Sequence, residues 1–241
     1  MEPRDRLIVA LDAGSLGEAE ATAERLRGTV RWFKIGSGLY TAAGPAAVQS
    51  LLPHGRIFLD LKFHDIPAQV AGAVAAATRL GVDLINVHAA GGSAMLRAAA
   101  AAGEEAAAAM GRRAPTLLGV TLLTSGDAAL VEEVGLVGTP AELAVRLARL
   151  ARAAGLGGVI ASPQDAAAIR TACGPDFLIV CPGIRPAGAA VDDQRRVLTP
   201  GEAVRAGADM LVVGRPVTRA VDPRRAAEAV VREIADLAGT R

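Results

Sequence analysis

The stretch IFLDLKFHDIPAQVAGAVAAATRLGVDLINVH, residues 57–88, holds a complete strand–turn–helix–strand unit. Residues 57–62 and 84–88 are short and rich in branched apolar side chains, as strands are, whereas 68–79 between them has helical composition and spacing. A helix that carries the chain back to the start of a second strand makes the two strands parallel. The same alternation fills the 241-residue chain. Strands are predicted at 7–12, 32–36, 57–62, 84–88, 116–122, 158–162, 177–181 and 210–214, with helices that include 19–27, 68–79, 94–110, 141–153 and 224–237. Runs such as Leu7-Ile8-Val9-Ala10-Leu11 are apolar on both faces, which suits a closed barrel or a doubly wound open sheet. Eight units in a chain of this length favour the (β/α)8 barrel, a single α/β domain over residues 1–241.

Many of these strands end in polar residues or glycine: Asp12, Lys34 with Gly36, Asp60 with Lys62, His88, Thr121 followed by Thr124, Gly183 with Arg185, and Gly214 with Arg215. In a barrel such ends converge on one face, where barrel enzymes keep their active sites. The richest end is Asp60-Leu61-Lys62-Phe63-His64-Asp65-Ile66-Pro67. Strand side chains alternate, so Asp60 and Lys62 share one side and Leu61 takes the other. Asp65 lies beyond the strand and just before Pro67, which suits the start of the next helix. A lysine flanked by two carboxylates keeps its proton even when partly desolvated and is a poised proton donor. An isolated D-x-K is as often a structural ion pair, and the third charge with its apolar flanks tilts this one toward function. His64 and His88 read as structural.

The end of strand eight, Val212-Val213-Gly214-Arg215-Pro216, offers backbone N–H groups freed by glycine and a cation, the ingredients of a barrel phosphate site. Asp12 and Lys34 are placed to meet sugar hydroxyls or to join the charge cluster. Thr121 and Thr124 offer hydroxyls to a heterocycle. Residues 182–199 form the longest stretch without periodicity, and such loops are usually functional, so a lid is expected there, with Arg185 near its start and Gln194 placed to close over a phosphate.

Composition narrows the partners. Twenty-six Lys and Arg oppose 25 Asp and Glu without a long run of one sign, and there is one Trp and one Tyr, which argues against nucleic-acid binding and for a small molecule. Cys173 and Cys181 show neither disulfide nor zinc spacing, so a reducing cytoplasm is expected. The N-terminal residues lack the long apolar region of a signal peptide, and apolar runs elsewhere are strand-length, below the ~18 residues of a membrane helix, so no membrane partner is expected.

Taken together, VALD at 9–12, FKIG at 33–36, FLDLKFHDIP at 58–67, NVHAAGG at 86–92, VTLLTS at 120–125, PGIRP at 182–186, DQRR at 193–196 and GRPV at 214–217 resemble the bacterial single-domain group of orotidine 5′-phosphate decarboxylases. D-x-K-x-x-D alone is shared with related sugar-phosphate lyases; this order of motifs over nearly the whole chain is specific. The resemblance implies a cofactor-free, metal-free carboxy-lyase of pyrimidine biosynthesis that converts orotidine 5′-phosphate to uridine 5′-phosphate. It makes Lys62 the proton donor, Asp60 the carboxylate beside the substrate's own, and Lys34, Asp60, Lys62 and Asp65 an alternating array. Asp65 is implied to act in the second subunit of a homodimer with shared sites. Asp12 is implied to bind ribose, Thr124 the pyrimidine, and Arg185, Gln194, Gly214 and Arg215 the phosphate. Two alternatives stand beside it: a metal-dependent phosphosugar lyase of the same barrel type, and a non-catalytic barrel that binds a phosphoribosyl ligand.

Overall fold

In a computed structural model, which describes residues 1–186 and 198–238, eight strands close into a parallel barrel in sequential order, β1-β2-β3-β4-β5-β6-β7-β8. After β1 (Leu7–Ala10) comes α1 (Leu16–Arg25), and after β2 (Trp32–Gly36) come α2 (Ser37–Ala43) and α3 (Ala46–Leu51). The third and fourth units are β3 (Arg56–Phe63) with α4 (Pro67–Arg79) and β4 (Leu84–His88) with α5 (Gly92–Ala109). After β5 (Thr116–Val120) lie α6 (Ala128–Glu133) and α7 (Pro140–Ala153), and after β6 (Gly158–Ile160) lies α8 (Ala166–Cys173). The chain closes with β7 (Leu178–Cys181), α9 (Pro200–Arg205), β8 (Met210–Val213), α10 (Arg215–Thr218) and α11 (Pro223–Ala238). Among the described residues no helix is long and apolar enough to cross a membrane.

The eight predicted strands all form, and the differences lie at their ends. β1, β5 and β6 end two residues early, at Ala10, Val120 and Ile160, although the next N–H of each, on Leu11, Thr121 and Ala161, still reaches a carbonyl of the neighbouring strand. Helix starts also shift for local reasons. The Ser15 hydroxyl accepts the Glu18 N–H, which begins α1 at Leu16 rather than at residue 19. Thr139-Pro140 and Thr199-Pro200 each open a helix with a reciprocal capping box, to Glu142 and Glu202.

Two apolar cores follow from the pleat. Even-numbered strand residues, among them Ile8, Phe58, Leu84, Leu118, Ile160, Val180 and Val212, fill the lumen. Odd-numbered ones, such as Val9, Phe33, Leu59, Ile85, Ile179 and Val213, pack outward under the helices. The lumen is therefore a packed plug rather than a pore, and the even-numbered residues at the strand C-termini stand above it.

Candidate active site

Above the plug a cavity of about 710 Å³ opens at the C-terminal face, well within the ~300–1,000 Å³ that ligand pockets occupy. Ala10, Phe58, Val120, Ile160 and Val212 make its apolar floor. Its two sides differ in chemistry: Lys34, Asp60 and Lys62 stand on β2 and β3, whereas Gly183, Arg185, Gly214 and Arg215 follow β7 and β8.

The charged side is wired continuously. Lys34 Nζ lies 3.0 Å from Asp12 Oδ1 and 3.2 Å from Asp60 Oδ2, and Lys62 Nζ lies 2.6 Å from Asp60 Oδ1. Burial works against the charge on Asp60, but Lys34 and Lys62, helped by hydrogen bonds from Lys62 and Asn86, outweigh it and hold the carboxyl below its usual range. Burial likewise opposes the Lys34 ammonium, yet Asp60 and Asp12 hold its pKa above the ordinary lysine value. Positive and negative groups thus alternate along one wall. Gly36 sits against this array: a Cβ there would stand 3.0 Å from Asp12 Oδ1 and 3.1 Å from Lys34 Nζ, so a side chain would crowd the ion pair.

The shared side of Asp60 and Lys62, predicted from regular alternation, is reached over irregular backbone. β3 and β4 pair in register through Leu59↔Ile85 and resume at Phe63↔Val87, so β3 spends four residues where β4 spends two. This bulge carries Lys62 at φ 52°, the left-handed region that a residue with a Cβ rarely enters, and among the described residues no other non-glycine does so. Asn86 stands opposite. Its Oδ1 accepts the Lys62 N–H at 2.8 Å and its Nδ2 donates to Asp60 Oδ1 at 2.6 Å. No role for Asn86 was apparent from the sequence, although a lone amide in the apolar run Leu84-Ile85-Asn86-Val87 is a signal in itself.

The opposite side is cationic and rich in backbone. Gly183 has φ 76°, and Arg185 is buried with Nη1 donating to the Ile184 carbonyl at 3.0 Å. The Arg185 N–H reaches the Leu198 carbonyl at 3.0 Å, which ties together the two described ends of the segment that follows β7. The expected lid falls mostly on 187–197, outside the described residues, and Gln194 with it. Thr124 is buried on the cavity wall. Thr121 is not available to a ligand in the same way, since its hydroxyl donates to the Ile160 carbonyl at 3.0 Å.

The sequence matches the orotidine 5′-phosphate decarboxylase / HUMPS family over residues 5–230. The chain belongs to that family. Among its relatives, an orotidine 5′-phosphate decarboxylase of Moorella thermoacetica is 56% identical over 236 residues, 97% of this chain and 94% of that one. Another, of Halorhodospira halophila, is 54% identical over 95% of this chain and 96% of its own length. The crystal structure of orotidine 5′-phosphate decarboxylase from Lactobacillus acidophilus superposes with a TM-score of 0.84 at 37% identity, covering 95% of this chain and 99% of that one.

Of the residues that the family motifs single out, Asp12, Lys34, Asp60, Lys62, Thr124, Arg185, Gly214 and Arg215 all line one cavity. Asp65 does not. It is exposed ahead of α4, and its Oδ1 accepts the neighbouring Ile66 N–H at 2.6 Å, with Ile66 itself 63% exposed. The His64 and His88 rings lie 5.3 Å apart between centroids, tilted by 34°, and burial, His64 and Lys62 push the His88 pKa below the ordinary histidine value. Among the described residues no three His, Cys, Asp or Glu side chains converge as a metal site, and the cavity carboxylates of Asp12 and Asp60 are engaged by ammonium groups.

Proposed function

We infer that Lys62 is the proton donor in the reaction of this chain, the decarboxylation of orotidine 5′-phosphate to uridine 5′-phosphate and carbon dioxide. The observation that carries the assignment is the alternating Lys34–Asp60–Lys62 wall over an apolar floor, facing a cationic, glycine-rich wall across one cavity. Cleavage of the bond between C6 and the carboxylate leaves the electron pair on C6 as a vinylic carbanion that no carbonyl is placed to delocalise. Fixed charge has to stabilise it. The Lys62 ammonium faces the developing anion, then transfers a proton to C6, and solvent reprotonates the amine. Asp60, held ionised, stands beside the substrate carboxylate, and relief of that repulsion as carbon dioxide departs adds to the driving force.

In this reading Asp12, which already holds Lys34, meets the ribose, and Thr124 meets the pyrimidine. Arg185, Gly214 and Arg215, with Gln194, surround the phosphate, whose binding energy is spent on the transition state far from the reacting carbon. Asp65, exposed beside an exposed isoleucine and off its own cavity, serves the site of a second subunit in a homodimer. The enzyme is one catalytic domain, acts in the cytoplasm, and needs neither metal nor organic cofactor.

Loss of the orotidine absorbance tests the activity. Turnover that survives EDTA supports the reading. Lasting loss in EDTA would favour a metal-dependent lyase, and nucleotide binding without turnover would leave only a binding barrel. Subunit sharing is tested by mixing Asp65→Ala with Lys62→Ala chains. Random exchange should restore about a quarter of wild-type activity, because half of the dimers would be mixed and each would hold one intact site. No recovery despite demonstrated exchange would refute sharing.

A further inference from the structure

Asn86 is wholly buried, and its amide makes two bonds whose direction is forced by the partners. The Lys62 N–H can only donate, so Oδ1 faces it; the Asp60 carboxylate can only accept, so Nδ2 faces that. The Asp60 oxygen that takes the Asn86 N–H is also the one that takes Lys62 Nζ, at 2.6 Å. Asn86 therefore grips Lys62 twice, directly at its backbone and through Asp60 at its ammonium. The backbone grip falls on the left-handed φ of 52° that the bulge in β3 imposes on a residue with a Cβ. Strained residues of this kind persist only where their surroundings over-determine them.

We propose that Asn86 is a positioning residue for the decarboxylation: it locks Lys62 in the bulged conformation that presents the ammonium to the cavity, and it fixes the Asp60 carboxylate between the two lysines. The proposal rests on the reading of Lys62 as proton donor. It makes a demand that a merely structural amide would not. A structural role would lower the melting temperature and weaken nucleotide binding together. A positioning role acts on the bound state, where a small misplacement of the donor slows chemistry without loosening the ligand.

The experiment compares wild type, Asn86→Ala and Asn86→Asp by steady-state turnover of orotidine 5′-phosphate, by calorimetric binding of uridine 5′-phosphate, and by thermal melting. For Asn86→Ala, kcat should fall about 100-fold or more, the size of effect seen when one preorganised donor is removed, while the Kd for uridine 5′-phosphate stays within about threefold. Asn86→Asp keeps an acceptor for the Lys62 N–H but turns a carboxylate toward Asp60. It should lose kcat in the same way, and it decides the matter if the alanine variant does not fold. A kcat within about threefold of wild type, or a loss of nucleotide affinity that parallels the loss of kcat, overturns the proposal. A wild-type protein that does not turn over the substrate sinks the decarboxylase reading instead.

Discussion

The strand pairs β3–β4 and β7–β8 begin alike and end differently. At the start of each, an aspartate just ahead of the second strand clamps the first. The Asp83 N–H donates to the Ile57 carbonyl at 2.9 Å, and its Oδ2 accepts the Ile57 N–H at 3.0 Å. Asp209 does the same to Ile179, at 2.9 and 2.8 Å. At the cavity end the likeness disappears. β3–β4 closes on side chains locked to one another, Asp60, Lys62 and Asn86, whereas β7–β8 opens into the turns of Gly183 and Gly214 with Arg185 and Arg215 beside them. The lesson is one of division. The clamped ends set where strands lie; in the proposed function one mouth then fixes point charges for chemistry, and the other offers backbone and guanidinium groups for holding an anion.

That division can be broken at several points. The largest effect belongs to Lys62→Ala. Removing both the proton donor and its electrostatic stabilisation should lower kcat by about 10⁵-fold, with uridine 5′-phosphate binding kept within about tenfold by calorimetry. Near-normal turnover would remove Lys62 from the mechanism. On the opposite wall, Arg215→Ala should lower kcat/KM by about 10- to 100-fold, the worth of one charged hydrogen bond, shared between a higher KM and a lower kcat because phosphate binding is spent on the transition state. A collapse of kcat at unchanged KM would erase the distinction between the two mouths.

The clamps give smaller effects, on stability alone. Asp83→Ala should cost about 1–2 kcal/mol by freeing one strand N–H, and Asp209→Ala about 2–4 kcal/mol, because Asp209 also takes Arg170 Nη2 at 2.5 Å. Denaturant titration separates the two, and kcat should hold in both; equal losses would mean that Arg170 adds nothing. The smallest effect is pH dependence. The depressed Asp60 pKa supplies stability that is complete above the unfolded carboxyl value, ~3.9, and is lost as pH falls through the folded value. The raised Lys34 pKa supplies stability that is complete below ~10.4 and is lost as pH rises through its folded value. The stability difference between wild type and Asp60→Asn should therefore shrink as pH falls below about 4, and a constant difference would contradict the coupling.

Hydropathy period and helix punctuation carried the eight-stranded barrel, since most strand residues are apolar on both faces and α1, α4, α6, α7, α9 and α11 open on a capping side chain or a proline. The charged wall was legible because Asp60 and Lys62 are two residues apart, although the bulge brings them to one side over irregular backbone rather than by the regular pleat. What lay beyond reach depends on pairing between strands. The bulge at 59–63 exists only against β4, so neither the left-handed Lys62 nor the two bonds of Asn86 to Lys62 and Asp60 are written in either strand alone. The Asp83 and Asp209 clamps are hidden likewise, because each aspartate reads as an ordinary turn residue until its neighbouring strand is placed. The short helices α2, α3, α6, α8, α9 and α10 are not among the helices read from the sequence, because a turn or two gives too little periodicity to separate from a loop.

The left-handed Lys62 bears on how this barrel would respond to selection. A glycine at 62 would relieve the backbone, so Lys62→Gly should unfold at higher denaturant than Lys62→Ala, by about 1 kcal/mol, although both lack the ammonium. A screen that rewards folding alone would drift toward glycine at this position, and one that rewards growth without a supplied pyrimidine would restore lysine if Lys62 is the proton donor. With Lys62 as the proposed proton donor, residue 62 is a place where thermal robustness and turnover pull the sequence in opposite directions.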